Sequence, residues 1–259
     1  MADSRKIIVS ADANARVAAA RAWLESLAPA SEALVIAHVR EAADEIVRAT
    51  AAKRGALAGV HRLTLNRLAA LLASDRNAGD GLAPAAGLAA EAVAARAVFR
   101  LTASGALKFF EPVLDRPGFA RALARTIAEV RLSNISVAQL RGLGGAGEAL
   151  GAMLEQFDAE LHAARLIDRA AMIAIAADAV RADPPPRFAG LPLVLLDLQI
   201  EGAVDRDLIA ELALRAPSVL ATVPAGDERG RNLLEAALGV TGTPAQSPAE
   251  TSLDRLKAY

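Results

Sequence analysis

The octet Ser10 to Val17, SADANARV, is the first place along the chain where residue types and spacing could do chemistry. It follows a short apolar run and opens a helical pattern. That is the setting in which a turn of pattern G-x-x-x-x-G-K-[ST] grips a triphosphate: glycines let backbone amides close round the phosphates, the lysine neutralises them, and the hydroxyl ligates magnesium. Here Ser10 and Ala15 stand at the glycine positions, Arg16 at the lysine and Val17 at the hydroxyl. Without glycine the positive φ and close approach are restricted, and valine offers a metal no ligand. Arg16 could still attract an anion at a helix N-terminus, but its planar fork does not replace a compact ammonium. The octet is read as a nucleotide site that has lost ATP and magnesium, or as a plain strand-to-helix turn.

The other half of an ATP site would be an acidic pair closing a later buried strand, one residue for magnesium and a glutamate to position water. LVLLDLQIEG supplies Asp197, but Leu198 follows it and Glu201 lies too far along. A lone aspartate ending a strand serves more often as a helix cap or loop anchor. No catalytic residue and no metal site are expected elsewhere. The three histidines, His38, His61 and His162, are far apart, and no Ser-His-Asp arrangement is recognisable. The absence of cysteine excludes a disulfide framework, a thiolate zinc site and a cysteine nucleophile.

Four residues are candidates for nucleic-acid contact. His38 and Arg40 follow an apolar strand at its carboxyl end, the edge where open α/β sheets bind ligands. They suit a phosphate or base-stacking contact, or are ordinary loop residues; His61 and Arg62 have the same standing. Arg96, Arg100, Lys108, Arg121, Arg125 and Arg131 read as solvated faces. So do the acid pairs Glu155 with Glu160 and Asp205 with Asp207, the latter at a helix start where carboxylates suit the dipole. His162 sits beside the apolar seam of its helix and is read as structural.

The elements that must carry these residues form an α/β pattern. Lys6 to Ser10 reads as a strand, Ala15 to Leu27 as a helix, Ala33 to Ala37 as a buried strand and Arg40 to Ala52 as a helix. This βαβα opening signals a parallel sheet. After Val60 a short extended piece enters a helix with Leu65, Leu68, Leu71 and Leu72 on it. From Leu88 to Arg181 the periodicity is helical throughout: Ala89 to Leu101, Gly118 to Arg131, Val137 to Leu143, Glu148 to Ala164 and Arg169 to Arg181. The prolines of DPPPRFAG end this block. Leu191 to Leu198 restores a buried strand, Arg206 to Leu214 is helical, and SVLATVPAGD is a further strand and loop. Thr241 to Ser252 reads as a linker, and Leu253 to Tyr259 as the start of a further amphipathic helix in a parent protein that continues.

Hydrophobic residues make up 54% of the chain but aromatics only 3%, so Ala, Leu and Val carry the core and favour helices. Twenty-nine basic against thirty acidic side chains give a net charge of −1, so any nucleic-acid contact must be local or shared with a partner. No secretory signal is visible and no apolar run reaches the roughly eighteen residues of a membrane span. A cytoplasmic protein with no membrane partner is expected.

Taken in order, these segments resemble the N-terminal region of superfamily 1 helicases. They are most similar to the inactivated-helicase subunit of the AddAB type, which also carries a PD-(D/E)XK nuclease. Leu34 to Val47, with Ala42 and Ala43 at its paired small residues, resembles the strand-loop-helix that touches single-stranded DNA. Gly59 to Leu72, with His61, resembles the next DNA-contacting motif. Leu191 to Leu212 is similar to the magnesium motif, with Asp197 and Gln199 retained and the catalytic glutamate replaced by Leu198. Val223 to Asn232 is similar to the nucleotide-sensing motif, with Gly226 and Asp227 present and its glutamine absent.

The resemblance implies a P-loop NTPase-like (RecA-like) parallel sheet with a large all-helical insertion. Its parts would be residues 1–75 and 187–240 for the sheet domain, 76–186 for the insertion, and 241–259 for a linker and the start of a helix. It also implies a bacterial hydrolase parent in double-strand break repair and homologous recombination. This chain would hold single-stranded DNA or duplex ends beside an active helicase–nuclease partner, without ATPase activity of its own. The alternative is a helical protein-interaction scaffold that never touches DNA.

Overall fold

The computed structural model describes residues 4–245 except 29, 86, 103 and 104. Most of the stretch read as a linker, and the expected helix from Leu253 to Tyr259, therefore lie outside the described residues. In chain order the first elements are β1 (Arg5–Ser10), α1 (Ala13–Ser26), β2 (Ala33–Ala37), α2 (Arg40–Arg54), β3 (Val60–Leu63) and α3 (Leu65–Leu72). Next come α4 (Ser74–Asp80), β4 (Ala83–Pro84), α5 (Leu88–Thr102), a 3-10 turn (Lys108–Val113), α6 (Phe119–Leu132) and α7 (Val137–Arg141). They are followed by α8 (Ala146–Ala163), β5 (Leu166–Ile167), α9 (Arg169–Arg181), β6 (Leu193–Leu196), α10 (Ala203–Arg215), β7 (Val219–Pro224), α11 (Glu228–Leu238) and β8 (Thr243–Pro244).

Two compact units result, one of Met1–Leu68, Val180–Ile200 and Ile209–Tyr259, the other of Ala69–Ala179 and Glu201–Leu208. The first unit is α/β. Its strands lie in the order β3-β2-β6-β7-β1-β8, and every described pairing is parallel. Parallel sheets are covered on both faces, so their inner strands are continuous apolar runs; ALVIA of β2 and LVLL of β6 are buried at every position. On one face Ala20 and Leu24 of α1 and Ala43 and Ile46 of α2 pack against Val35, Val194 and Leu220.

Ile8 joins that face, so Arg5, an odd number of residues away along the same strand, points to the other. There its guanidinium donates to the carbonyls of Ala213 and Leu238, in the last turns of α10 and α11. Orphan carbonyls at two helix ends are thereby satisfied by one cation. At the sheet's far edge β8 pairs with β1 inside the stretch read as a linker, held by Ala245 N–H donating to Val9 and the Thr243 hydroxyl to Ile7.

The second unit is helical apart from a two-residue parallel pair, β4 with β5, a small departure from the all-helical reading. Val93 and Ala97 of α5, Leu123 and Ile127 of α6, and Met153, Phe157 and Leu161 of α8 form its core. Charges brace it. Arg131 is not a solvated face: it lies between Asp168, 2.6 Å from Nε, and Asp158. Glu160 is buried rather than solvent-facing, with Arg96 at 2.9 Å and Arg100 at 3.6 Å. Asp205 is 0% exposed, accepting from Arg169 at 2.9 Å and from the Glu201 N–H at 2.9 Å. His162, read as structural beside its helix seam, is exposed.

Candidate functional site

The candidate site lies in the α/β unit, at the carboxyl edge of the sheet where β1, β6 and β7 end. Only Ala11 and Asp12 separate β1 from the first residue of α1. Half of the residues between Ser10 and Ala15 are therefore already helical, because alanine favours a helix that glycine would weaken. Asp12 caps that helix: its carboxylate accepts the Asn14 N–H at 2.9 Å and its carbonyl the Arg16 N–H at 3.3 Å. A helix N-terminus attracts anions through such amides, and here the chain's own Asp12 carboxylate takes that of Asn14.

Arg16 does not point at the helix N-terminus as an anion receptor. Only 6% exposed, its side chain reaches Asp197, with Nε 2.9 and 3.0 Å from the two carboxylate oxygens. Its Nη1 donates to the Ser10 carbonyl at 2.5 Å. Asp197 is a loop anchor. The Thr222 hydroxyl donates to its Oδ1 at 2.7 Å and accepts its N–H at 3.0 Å. The Asp197 backbone sits at φ +43°, a left-handed conformation that a non-glycine residue keeps only when its surroundings hold it there. The side-chain and amide bonds just named supply that hold.

Ser10, Arg16 and Asp197 are thus brought together, and Thr222 joins them unforeseen. Its signal was a hydroxyl inside the otherwise apolar run VLATV; it is fully buried, and buried polar groups have partners. Val17 packs beside the apolar cluster of α1 and α2, and Ala15 is half-buried. Leu198 is buried in the core where a glutamate would act, while Gln199 is exposed. Gly226, at φ +102°, leads into Asp227, whose carboxylate caps α11 by accepting the Gly230 N–H at 2.9 Å. A Cβ on Gly230 would stand 2.3 Å from that carboxylate, so the cap depends on the glycine.

Beside Asp197 opens a hollow of about 350 Å³, with Val17, Val39, Ala42, Ile46 and Leu196 as walls and His38 and Glu45 as further polar groups. Arg40 and Arg62 share one acid, Asp44, at 3.7 and 3.3 Å. His61 is separated from Arg62 by the alternation of the strand. Its register partner is Leu34 and that of Arg62 is Val35, so the two side chains leave opposite faces. His61 Nε2 lies 3.1 Å from Glu32, and its ring meets Phe188 edge-on at 5.0 Å. The four candidate contacts therefore divide into His38, Arg40 and Arg62 toward the α1 and α2 face and carboxyl edge, and His61 away from them.

Among the described residues no group of three or more histidine, aspartate or glutamate side chains is arranged to hold a metal ion. Among the same residues no helix is long and apolar enough to cross a membrane. No protein family and no curated protein matches the chain.

Proposed function

We propose that the chain is a noncatalytic, helicase-like DNA-binding module of a double-strand-break end-processing helicase–nuclease, built on a RecA-like plan whose ATP site has been given up. One observation carries this reading. Arg16, at the lysine position of the first motif, is bonded to Asp197, at the magnesium position of a motif 181 residues away. Two segments singled out as halves of one site converge, on the carboxyl edge of a parallel sheet where ligands of such folds collect.

In this reading the partner subunit supplies ATP hydrolysis and this chain holds the strand. Arg40 and Arg62 offer two guanidinium groups against the single carboxylate of Asp44, and these cations would meet the backbone phosphates. His38 presents a ring at the adjoining hollow. Fluorescence anisotropy with labelled single-stranded and forked DNA tests the reading. Two phosphate contacts predict an affinity falling about sevenfold between about 50 and 200 mM salt. Arg40→Glu with Arg62→Glu should abolish most of the binding. Absence of binding at low salt, both alone and with the partner subunit, removes the proposal.

A second reading is favoured by apolar side chains on the helical unit. Leu88, Phe99 and Leu143 are 81%, 79% and 78% exposed, and Phe99 borders a groove of about 970 Å³ with Leu114 and Phe119. Apolar patches of this kind mark protein contacts. As a scaffold without DNA contact, the chain would lose its partner on Phe99→Ser and be indifferent to charge reversal at Arg40 and Arg62.

A further inference from the structure

We infer that the turn between β1 and α1 is a guanidinium-binding site, filled in the intact chain by the side chain of Arg16. The charge preference of a phosphate-gripping turn is inverted here. The inference stands apart from the DNA reading, since it concerns only what this turn can hold.

The charge preference of the position is set by which groups face it and which are already engaged. An anion needs free N–H donors. The Asn14 N–H is taken by the Asp12 carboxylate, the Asp197 N–H by the Thr222 hydroxyl, and the Ala225 N–H by the Ser10 carbonyl at 3.0 Å. The Asp12 N–H goes to the Ser10 hydroxyl at 3.1 Å. The groups that the Arg16 side chain meets are all acceptors: two carboxylate oxygens of Asp197 and the carbonyl of Ser10. A phosphate entering here meets oxygen lone pairs, whereas a planar cation with donors along its edge meets complementary charge.

The Ser10 carbonyl serves two donors at once, Arg16 Nη1 and the Ala225 N–H, so the guanidinium clasps the loops after β1, β6 and β7. The carboxyl edge is thereby tied together by the chain's own side chain. Asp197 also lines the 350 Å³ hollow, which gives a small solute a route to the position once the arginine side chain is removed.

Chemical rescue tests the inference in the full chain. Trp23, the only tryptophan, lies on α1 and packs on its apolar cluster, so its fluorescence follows the unit that contains the site. Arg16→Ala should lower the midpoint of the Trp23 thermal transition by about 5 to 10 °C. Methylguanidinium at about 10 to 50 mM should restore half or more of that loss by mass action, compared with sodium chloride and urea at the same concentrations. The wild type should gain nothing, and adding Asp197→Asn to Arg16→Ala should abolish the rescue.

Should Arg16→Ala fail to fold, the wild type itself gives the answer by nuclear magnetic resonance. The Arg16 Nε–H should exchange slowly with solvent, and its signal should be lost in Asp197→Asn. Arg16→Lys, which keeps a cation, should fold with a smaller drop and gain nothing from inorganic phosphate. Three results overturn the inference. They are stabilisation of Arg16→Ala or Arg16→Lys by phosphate, failure of methylguanidinium to stabilise a folded Arg16→Ala, and an Arg16 Nε–H that exchanges as fast as an exposed arginine.

Discussion

Both units contain buried arginine–aspartate pairs, and the pairs differ in what they join. In the helical unit Asp205 is fully buried and binds Arg169 and the Glu201 amide, fixing the start of α10. In the sheet unit Arg16 and Asp197 meet at the ends of strands, beside an open hollow and on a strained backbone. The first pair is a brace between segments that pack anyway. The second fills a place where a ligand of this fold would lie. A buried ion pair is therefore informative through the elements it connects, more than through its presence.

Substitutions can break this comparison, and the largest effect is expected in the brace. Asp205→Ala removes the buried carboxylate that accepts from Arg169 and from the Glu201 amide and should cost about 3 to 5 kcal/mol, read by urea denaturation. Gly202→Ala comes next. Its Cβ would stand 2.3 Å from the Leu132 carbonyl oxygen, so backbone must move, at a cost of about 1 to 3 kcal/mol. Thr222→Val keeps shape but removes the hydroxyl beneath Asp197; the loss of a bond to a charged group should cost about 1.5 to 3 kcal/mol, visible in the Trp23 transition. A cost for Thr222→Val equal to that for Asp205→Ala would erase the distinction between brace and filled ligand place.

The smallest effect concerns pH. Burial raises the Asp158 carboxyl above its ordinary value, Arg131 pulls it down, and the neighbouring Asp168 charge pushes it up again. A carboxyl whose folded value is raised binds its proton more tightly when folded. Its contribution is complete at pH below the unfolded value and declines as pH rises through the raised one. The wild type should therefore lose stability relative to Asp158→Asn as pH climbs from about 4. An opposite slope in paired urea titrations would mean that Arg131 dominates.

Much of the scaffold was legible because it rests on local patterns. The strand Ala33–Ala37 and the helix Arg169–Arg181 fall where apolar runs and periodicity put them. The two-residue strands were illegible: β8 is defined by backbone bonds to β1, a partner more than 230 residues away that no local pattern names. The 3-10 turn Lys108–Val113 was equally illegible, since its Pro112 interrupts the helical period. At the site, the identities of Arg16 and Asp197 could be read but not their bond, which depends on β6 entering the sheet between β2 and β7. The separation of His61 from Arg62 was available in principle, because adjacent strand residues face opposite ways. The burial of Glu160 and Asp205 was not, because charged residues on a helix look solvated until the neighbouring helix is placed.

On the proposed reading this carboxyl edge holds a DNA strand, and the turn from Ser10 to Val17 takes no nucleotide. A single anisotropy titration of labelled single-stranded DNA, at low salt and with or without magnesium ATP, tests it most directly. The account predicts one saturable curve that magnesium ATP leaves unmoved. A flat trace, or a curve displaced by magnesium ATP, would contradict it.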